Sequence, residues 1–115
     1  MKQTRITEVK AYDAIGHYGV STMRLQGKEE TGITKFWVGK SIFLPGGGAD
    51  WGYEDNPNEK VYFVLSGEMT VSSKDEKFVL KEGDSLYIGP NEGRSMKNET
   101  NFACELLVAI TYPAE

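Results

Sequence analysis

Short runs in which hydrophobic and polar residues alternate make up most of the chain. The run at 35–44 (KFWVGKSIFL) places Phe36 and Val38 on one face of an extended segment and Trp37 and Phe43 on the other. Further alternating or β-branched and aromatic runs follow at 60–65, 68–72, 77–80, 85–88 and 102–112. A period of two, with breaks every 8–12 residues or so, predicts a series of short β-strands.

Glycine and polar turn residues separate these runs, as at 66–67 and 82–84, and the chain has 13 glycines in 115 residues. No stretch has the 3.6-residue apolar period of a helix, although 4–14 fits either one helical turn or an edge strand. Many short strands without helices predict an all-β fold, and at this length a small barrel or jelly roll. We expect one structural domain, with 1–34 as a strand or arm that packs on a barrel formed by 35–115.

Composition narrows the class of protein. Hydrophobic residues make up 39% and charged residues 26% of the chain, which is typical of a globular domain. No apolar run approaches the roughly 20 residues of a membrane span, and no leader peptide opens the chain, so we expect no membrane partner. The net charge of −4 argues against a nucleic-acid partner. Cys104 is the single cysteine and is predicted to be a small core residue; with the missing leader, it favours a cytoplasmic protein.

His17 is the single histidine, which limits the chemistry of the chain. A metal site that needs two or three histidines cannot be built within one chain. A catalytic triad would have to use His17, and no nucleophile elbow of the G-x-S-x-G type is present.

Two segments carry a resemblance to a known family. Residues 45–67 read PGGGADWGYEDNPNEKVYFVLSG, and residues 83–98 read GDSLYIGPNEGRSMKN. Their spacing resembles the two cupin motifs, G-x5-H-x-H-x3-E-x6-G and G-x5-P-x-G-x2-H-x3-N, and the glycines that frame the first motif and open the second are present. The resemblance covers roughly 36–112. It implies a small single-domain cupin, whose conserved barrel is a double-stranded β-helix of the jelly-roll type.

The same resemblance implies that the usual metal ligands are replaced. In metal-binding cupins, three histidines and one glutamate of the motifs chelate a divalent ion inside the barrel. The matching positions here are Glu54, Asn56, Lys60 and Arg94. Lysine and arginine are cations that cannot ligate a metal at neutral pH. We therefore expect no metal and no other cofactor.

A metal-dependent alternative stays open. If the first motif is moved by one residue, it offers the oxygen ligands Tyr53, Asp55 and Glu59. This register breaks the spacing to Gly67 and turns Glu59 to the opposite face of its strand.

Strand alternation predicts which side chains share a pocket. If Lys60 points into the barrel, so do Tyr62 and Val64; Arg94 and Met96 share the inner face of a later strand. The predicted pocket contains Glu54, Asn56, Lys60, Arg94, Tyr62 and Met96, with Trp51 and Tyr53 of the glycine-rich segment and with Phe36 and Trp37 as further candidates. A few polar groups in a largely apolar pocket are typical of a small-molecule site.

The predicted ligand is a small polar or anionic compound, because Arg94 can hold a carboxylate through two hydrogen bonds. Burial and the like charge of Arg94 are expected to lower the pKa of Lys60, which could then act as a base or a Schiff-base nucleophile. Glu54 is its candidate partner. The implied chemistry is proton transfer of the isomerase, epimerase or lyase type.

Two further alternatives remain. Glu54 could instead pair with Lys60 and Arg94 in a purely structural ion network. The barrel could also be a binding or sensor module without catalysis. Because cupins commonly pair through their sheets, a homodimer is expected.

Overall fold

The computed structural model describes residues 1–113 and confirms the predicted all-β jelly roll. The strands are β1 (His17–Gln26), β2 (Phe36–Gly52), β3 (Lys60–Ser66), β4 (Glu68–Ser72), β5 (Lys77–Lys81), β6 (Ser85–Ile88), β7 (Arg94–Lys97) and β8 (Cys104–Thr111). One turn of 3-10 helix spans Ile6–Glu8, and a single-turn helix, α1, spans Lys28–Thr31. No helix within this part of the chain is long and apolar enough to cross a bilayer.

The strands form one antiparallel sheet that curls into a nearly closed barrel. Seven of the strands follow the order β5-β4-β7-β2-β8-β3-β6. The eighth, β1, also pairs with β2. Strand β2 is therefore central, with β1, β7 and β8 as partners along different parts of its length. Before β1, the arm at 1–16 is tied to the barrel by a bridge between Tyr12 and Thr22.

The predicted alternation is present where it positions the interior. In β3, Lys60, Tyr62 and Val64 are buried, while the residues between them are exposed. In β7, Arg94 and Met96 are buried. A period of two therefore gave the correct faces of both strands.

Strand β2 extends past the predicted run at 35–44 and continues through the glycine segment to Gly52. Close approach of neighbouring backbones explains the glycines. A Cβ on Gly48 would lie 2.1 Å from the carbonyl oxygen of Met96, and a Cβ on Gly47 would lie 2.2 Å from that of Gly19. Trp51 of this glycine-rich segment is consequently part of a strand.

The core between the inner faces is well filled. Phe43, Val64, Met69 and Leu106 are at most 1% exposed. Cys104 is fully buried among them, as predicted, and burial raises the pKa of its thiol to about 11.

Candidate functional site

A cavity of about 550 Å³ lies between the N-terminal arm and the inner faces of β1, β2, β3, β7 and β8. Its aromatic walls are Tyr12, Trp37, Trp51, Tyr53 and Tyr62. Its charged and titratable side chains are Asp13, His17, Arg24, Asp50 and Arg94. Its floor is apolar and includes Met96, Leu106, Val108 and Ile110. The cavity thus combines an apolar floor with aromatic faces and a few polar groups, as small-molecule sites do.

Arg94 is the best-anchored polar group of this cavity. Its side chain is 3% exposed. Its Nε donates to the Tyr62 hydroxyl at 3.1 Å, and its Nη1 donates to the carbonyl oxygen of Asp50 at 3.2 Å. Burial raises the pKa of Tyr62, and the charge of Arg94 opposes that rise. The guanidinium is therefore fixed in orientation before any ligand arrives.

Tyr53 separates two cations. Its ring centroid lies 4.1 Å from the Nζ of Lys60 and 4.6 Å from the Cζ of Arg94. The backbone of Tyr53 is in the left-handed region, with φ of 68°, which is costly for a residue with a bulky side chain. The ring's electron-rich face helps to hold the like charges near each other.

Lys60 contacts the ring of Tyr53 and does not line the cavity. The residue is 1% exposed, and its Nζ donates to the carbonyl oxygen of Asn58 at 3.3 Å. Burial lowers the pKa of Lys60, the charge of Arg94 lowers it further, and Glu92 partly opposes both.

The expectation that Glu54 shares the pocket with Lys60 is wrong. Glu54 lies in the turn after β2 and points outward; its Oε2 accepts a hydrogen bond from Trp51 Nε1 at 2.7 Å, and its Oε1 lies 3.6 Å from Lys74 Nζ. The bond from Trp51 is the main cause that lowers the pKa of Glu54, followed by the charge of Lys74. Neither of the ion pairs with Lys60 or Arg94 that the sequence left open forms within 4.0 Å.

Asn56 also lies outside the cavity. Its Oδ1 accepts a hydrogen bond from the amide of Asn58 at 2.8 Å, and its carbonyl oxygen accepts one from the amide of Asn91 at 2.7 Å. Asn56 therefore joins two loops instead of facing a ligand. Of the aromatic candidates, Trp37 lines the cavity, whereas its neighbour Phe36 faces outward because adjacent strand residues alternate.

The motif positions do not fit the metal of the family. Two of them are buried cations, and the other two are loop residues with partners of their own. The alternative oxygen set is not assembled either: Tyr53 stacks on the cations, and Glu59 accepts a hydrogen bond from the Tyr87 hydroxyl at 2.7 Å. Within 1–113, no three or more His, Cys, Asp or Glu side chains are grouped to hold a metal ion.

The sequence analysis missed several cavity residues. His17 lies at the start of β1, its Nδ1–H donates to the carbonyl oxygen of Ile15 at 2.9 Å, and burial lowers its pKa. Arg24 lies between the rings of Tyr12 and Trp37, with its Cζ 4.8 Å from each centroid. The pairing of β1 with β2 brings both side chains to the cavity. No local sequence motif predicts this pairing.

The single antiparallel sheet and the cavity inside its barrel define a jelly-roll β-barrel protein. More particularly, the chain belongs to the cupin family: residues 40–110 match the cupin domain. Over 113 residues it is 41% identical to the Beta-D-galactosidase Rv1717 of Mycobacterium tuberculosis, a match that covers 98% of this chain and 96% of that relative.

Two solved structures show the same fold. The polyketide cyclase RemF from Streptomyces resistomycificus superposes with a TM-score of 0.84 at 21% identity, over 96% of this chain and 79% of its own. A predicted oxalate decarboxylase from Thermotoga maritima gives a TM-score of 0.81 at 21% identity, over 96% and 98%. At this level of identity the likeness concerns the fold alone.

Proposed function

We propose that this cupin binds a β-galactoside in the barrel cavity and hydrolyses its glycosidic bond without a metal ion. The observation that carries the proposal is the 41% identity, over 98% of the chain, to a relative named Beta-D-galactosidase. A match of that extent spans the N-terminal arm as well as the barrel, and both contribute to the cavity wall.

The lining of the cavity supports a sugar ligand. A volume of about 550 Å³ accommodates a monosaccharide and part of its leaving group. The rings of Trp37, Tyr12 and Tyr53 offer flat apolar faces for the C–H groups of a sugar, while guanidinium and carboxylate groups offer hydrogen bonds to its hydroxyls.

Two carboxyl groups of the cavity, Asp13 and Asp50, are our candidates for the catalytic pair. Glycoside hydrolysis commonly uses one carboxylic acid that protonates the leaving oxygen and one carboxylate that activates water or attacks the sugar. In the reaction, water adds across the glycosidic bond, and the proton lost by the acid is restored from that water. Arg94 fixes the backbone of Asp50, so it positions one of the two groups.

The test is hydrolysis of 4-nitrophenyl β-D-galactopyranoside by chelator-treated protein. We expect activity that the chelator leaves intact, and a loss of at least about 100-fold in kcat for Asp13→Asn and Asp50→Asn. Asp75→Asn, in an exposed loop, is the matched control and should retain activity. Absence of hydrolysis by the wild type, or full activity of both variants, would refute the proposal. Binding without turnover would instead support a sensor module.

A second candidate function is proton transfer on a small carbonyl compound, with Lys60 as the base. It is favoured by one observation: Lys60 is buried, and its pKa is lowered. Lys60 contacts the Tyr53 ring and does not line the cavity, so this chemistry requires the side chains between substrate and Lys60 to rearrange. Lys60→Met should abolish such a reaction, whereas galactoside hydrolysis should survive the same substitution.

We also propose a homodimer formed through the outer face of β3 and β6. Val61, Phe63 and Tyr87 of these strands are 42%, 37% and 58% exposed, although they are large apolar or aromatic residues. Contiguous apolar surface of this kind is typical of an interface. Light scattering after size exclusion should give twice the chain mass, and Phe63→Lys should halve it. Val79→Lys, on the exposed side of β5, is the control. A monomeric wild type at micromolar concentration would overturn this.

A cytoplasmic location is part of the proposal, because a single buried thiol suits a reducing compartment. Cell fractionation with an antibody against the chain tests it; recovery outside the cytoplasm would contradict it.

A further inference from the structure

Among residues 1–113, the two arginines of the cavity form no ion pair. The ion pairs within 4.0 Å among residues 1–113 join Lys40, Lys74 and Lys77 to glutamates on the surface. Arg94 and Arg24 line the cavity and take part in none of them. Arg94 is 3% exposed, and a buried guanidinium outside an ion pair is costly, because close attraction does not repay its desolvation.

Arg24 also has an unused donor. Throughout the described part of the chain, its Nε is the one buried side-chain nitrogen or oxygen that makes no hydrogen bond. Buried polar atoms are almost always paired, so this exception marks Arg24 as a side chain whose donors the fold itself does not fully use. The rings of Tyr12 and Trp37 hold the guanidinium at the cavity wall. Glu30 lies near the aliphatic stem of Arg24 at Gly27, but the two side chains form no ion pair within 4.0 Å.

We infer that the cavity recognises an oxyanion on its ligand, a carboxylate or a phosphate, through Arg24 and Arg94. The inference rests on the proposed function for the sugar: the galactoside would be an acidic one. Arginine presents its donors as a planar fork that matches both oxyanions. Asp13 and Asp50 carry the opposite charge in the same cavity, so the acidic group is expected at the guanidinium groups and not at the carboxylates.

The experiment compares two substrates that differ only at C6 of the sugar. These are 4-nitrophenyl β-D-galactopyranoside and the corresponding 4-nitrophenyl β-D-galactopyranosiduronic acid; the galactoside 6-phosphate is a third arm that separates phosphate from carboxylate. We expect at least a 10-fold higher kcat/KM for one acidic substrate, mostly through KM. Arg24→Gln should remove the preference, and Arg24→Lys, which keeps the charge but not the fork, should restore part of it. Arg5→Gln, an exposed arginine of the arm, is the control.

If the wild type hydrolyses the neutral galactoside with a kcat/KM equal to or higher than that for the acidic substrates, the inference is overturned and the proposed function is left intact. An acid preference that persists in Arg24→Gln, with its fold verified by circular dichroism, would also overturn it. Inorganic phosphate and sulfate provide a readout that needs no sugar. They should raise the Tm of the wild type and of Arg5→Gln but not that of Arg24→Gln. If no galactoside is hydrolysed yet this anion effect is found, the proposed function fails and the anion site stands.

Discussion

Replacing Lys60 by methionine should stabilise the protein, although it removes a residue at a motif position of the family. Lys60 is 1% exposed and has no carboxylate within 4.0 Å among the residues described. Methionine has a similar volume and an unbranched apolar side chain, so it can occupy the space of the lysine stem.

The expected change in the free energy of unfolding follows from the contacts that the Lys60 ammonium makes and from the cost of its desolvation. The substitution removes one long hydrogen bond to Asn58, worth about 1 kcal/mol, and a cation–π contact with Tyr53, worth about 1–2 kcal/mol. It also removes the desolvation of a buried ion, which costs several kcal/mol, and the repulsion by Arg94. We expect a net gain of about 1–2 kcal/mol, and thus a rise in Tm of roughly 4–8 °C for a domain of this size.

The pH dependence gives the prediction a definite sign. Because burial and Arg94 lower the folded-state pKa of Lys60 below 10.5, the unfolded chain binds more protons between the two pKa values. The stability of the wild type therefore rises with pH in that window. The advantage of Lys60→Met is complete below the folded-state pKa and shrinks as the pH approaches 10.5.

The stability difference and its pH dependence are measured by urea denaturation at pH 7 and pH 10. The proteins compared are the wild type, Lys60→Met and the control Lys81→Met, whose lysine is exposed on a strand. The control should differ little from the wild type at either pH. The reasoning is refuted if Lys60→Met is less stable than the wild type at pH 7, or if its advantage grows between pH 7 and pH 10.

Two other substitutions and one thiol reaction test further contacts of the structure. Gly93→Ala would bring a Cβ within 2.4 Å of the Trp51 indole, so acrylamide should quench the displaced tryptophan more strongly; unchanged quenching would contradict the contact. Asn98→Ala removes three hydrogen bonds from a fully buried amide to backbone carbonyls and should cost about 3 kcal/mol in urea denaturation, whereas a cost below 1 kcal/mol would show that these carbonyls find other partners. Because Cys104 is buried and its thiol pKa is about 11, the native protein should not react with Ellman's reagent at pH 8 until urea unfolds it.

The sequence alone is sufficient for those parts of the site that depend on local periodicity. Alternation within each strand places Lys60 with Tyr62 and Arg94 with Met96, and the family spacing pattern identifies these faces as the inner ones. A family spacing pattern is less reliable at loop positions. It matched Glu54 and Asn56 to ligand positions, but both residues lie in the turn and loop after β2 with partners of their own, and the pattern contains no information on that geometry.

The residues of the cavity that the sequence did not reveal depend on long-range pairing. Arg24 and His17 reach the cavity because β1 pairs with β2, with register shifts after Tyr18 and after Arg24. Such irregularities are set by the whole sheet, so no window of sequence contains them. The carboxylates of Asp13 and Asp50 are close to the same cavity for the same reason, although the two residues are 37 positions apart.

The replaced motif positions keep one physical property of the family's metal centre and lose another. A divalent ion at these positions provides positive charge inside the barrel and open coordination sites. Lys60 and Arg94 provide positive charge at two of the same positions, but as hydrogen-bond donors they offer no coordination. Of these two cations, Arg94 lines the cavity and Lys60 does not, and Arg24 of β1 adds a second guanidinium to the lining. In the proposed function, the guanidinium groups bind and orient the ligand, whereas bond cleavage is the task of the carboxyl groups of Asp13 in the arm and Asp50 in β2.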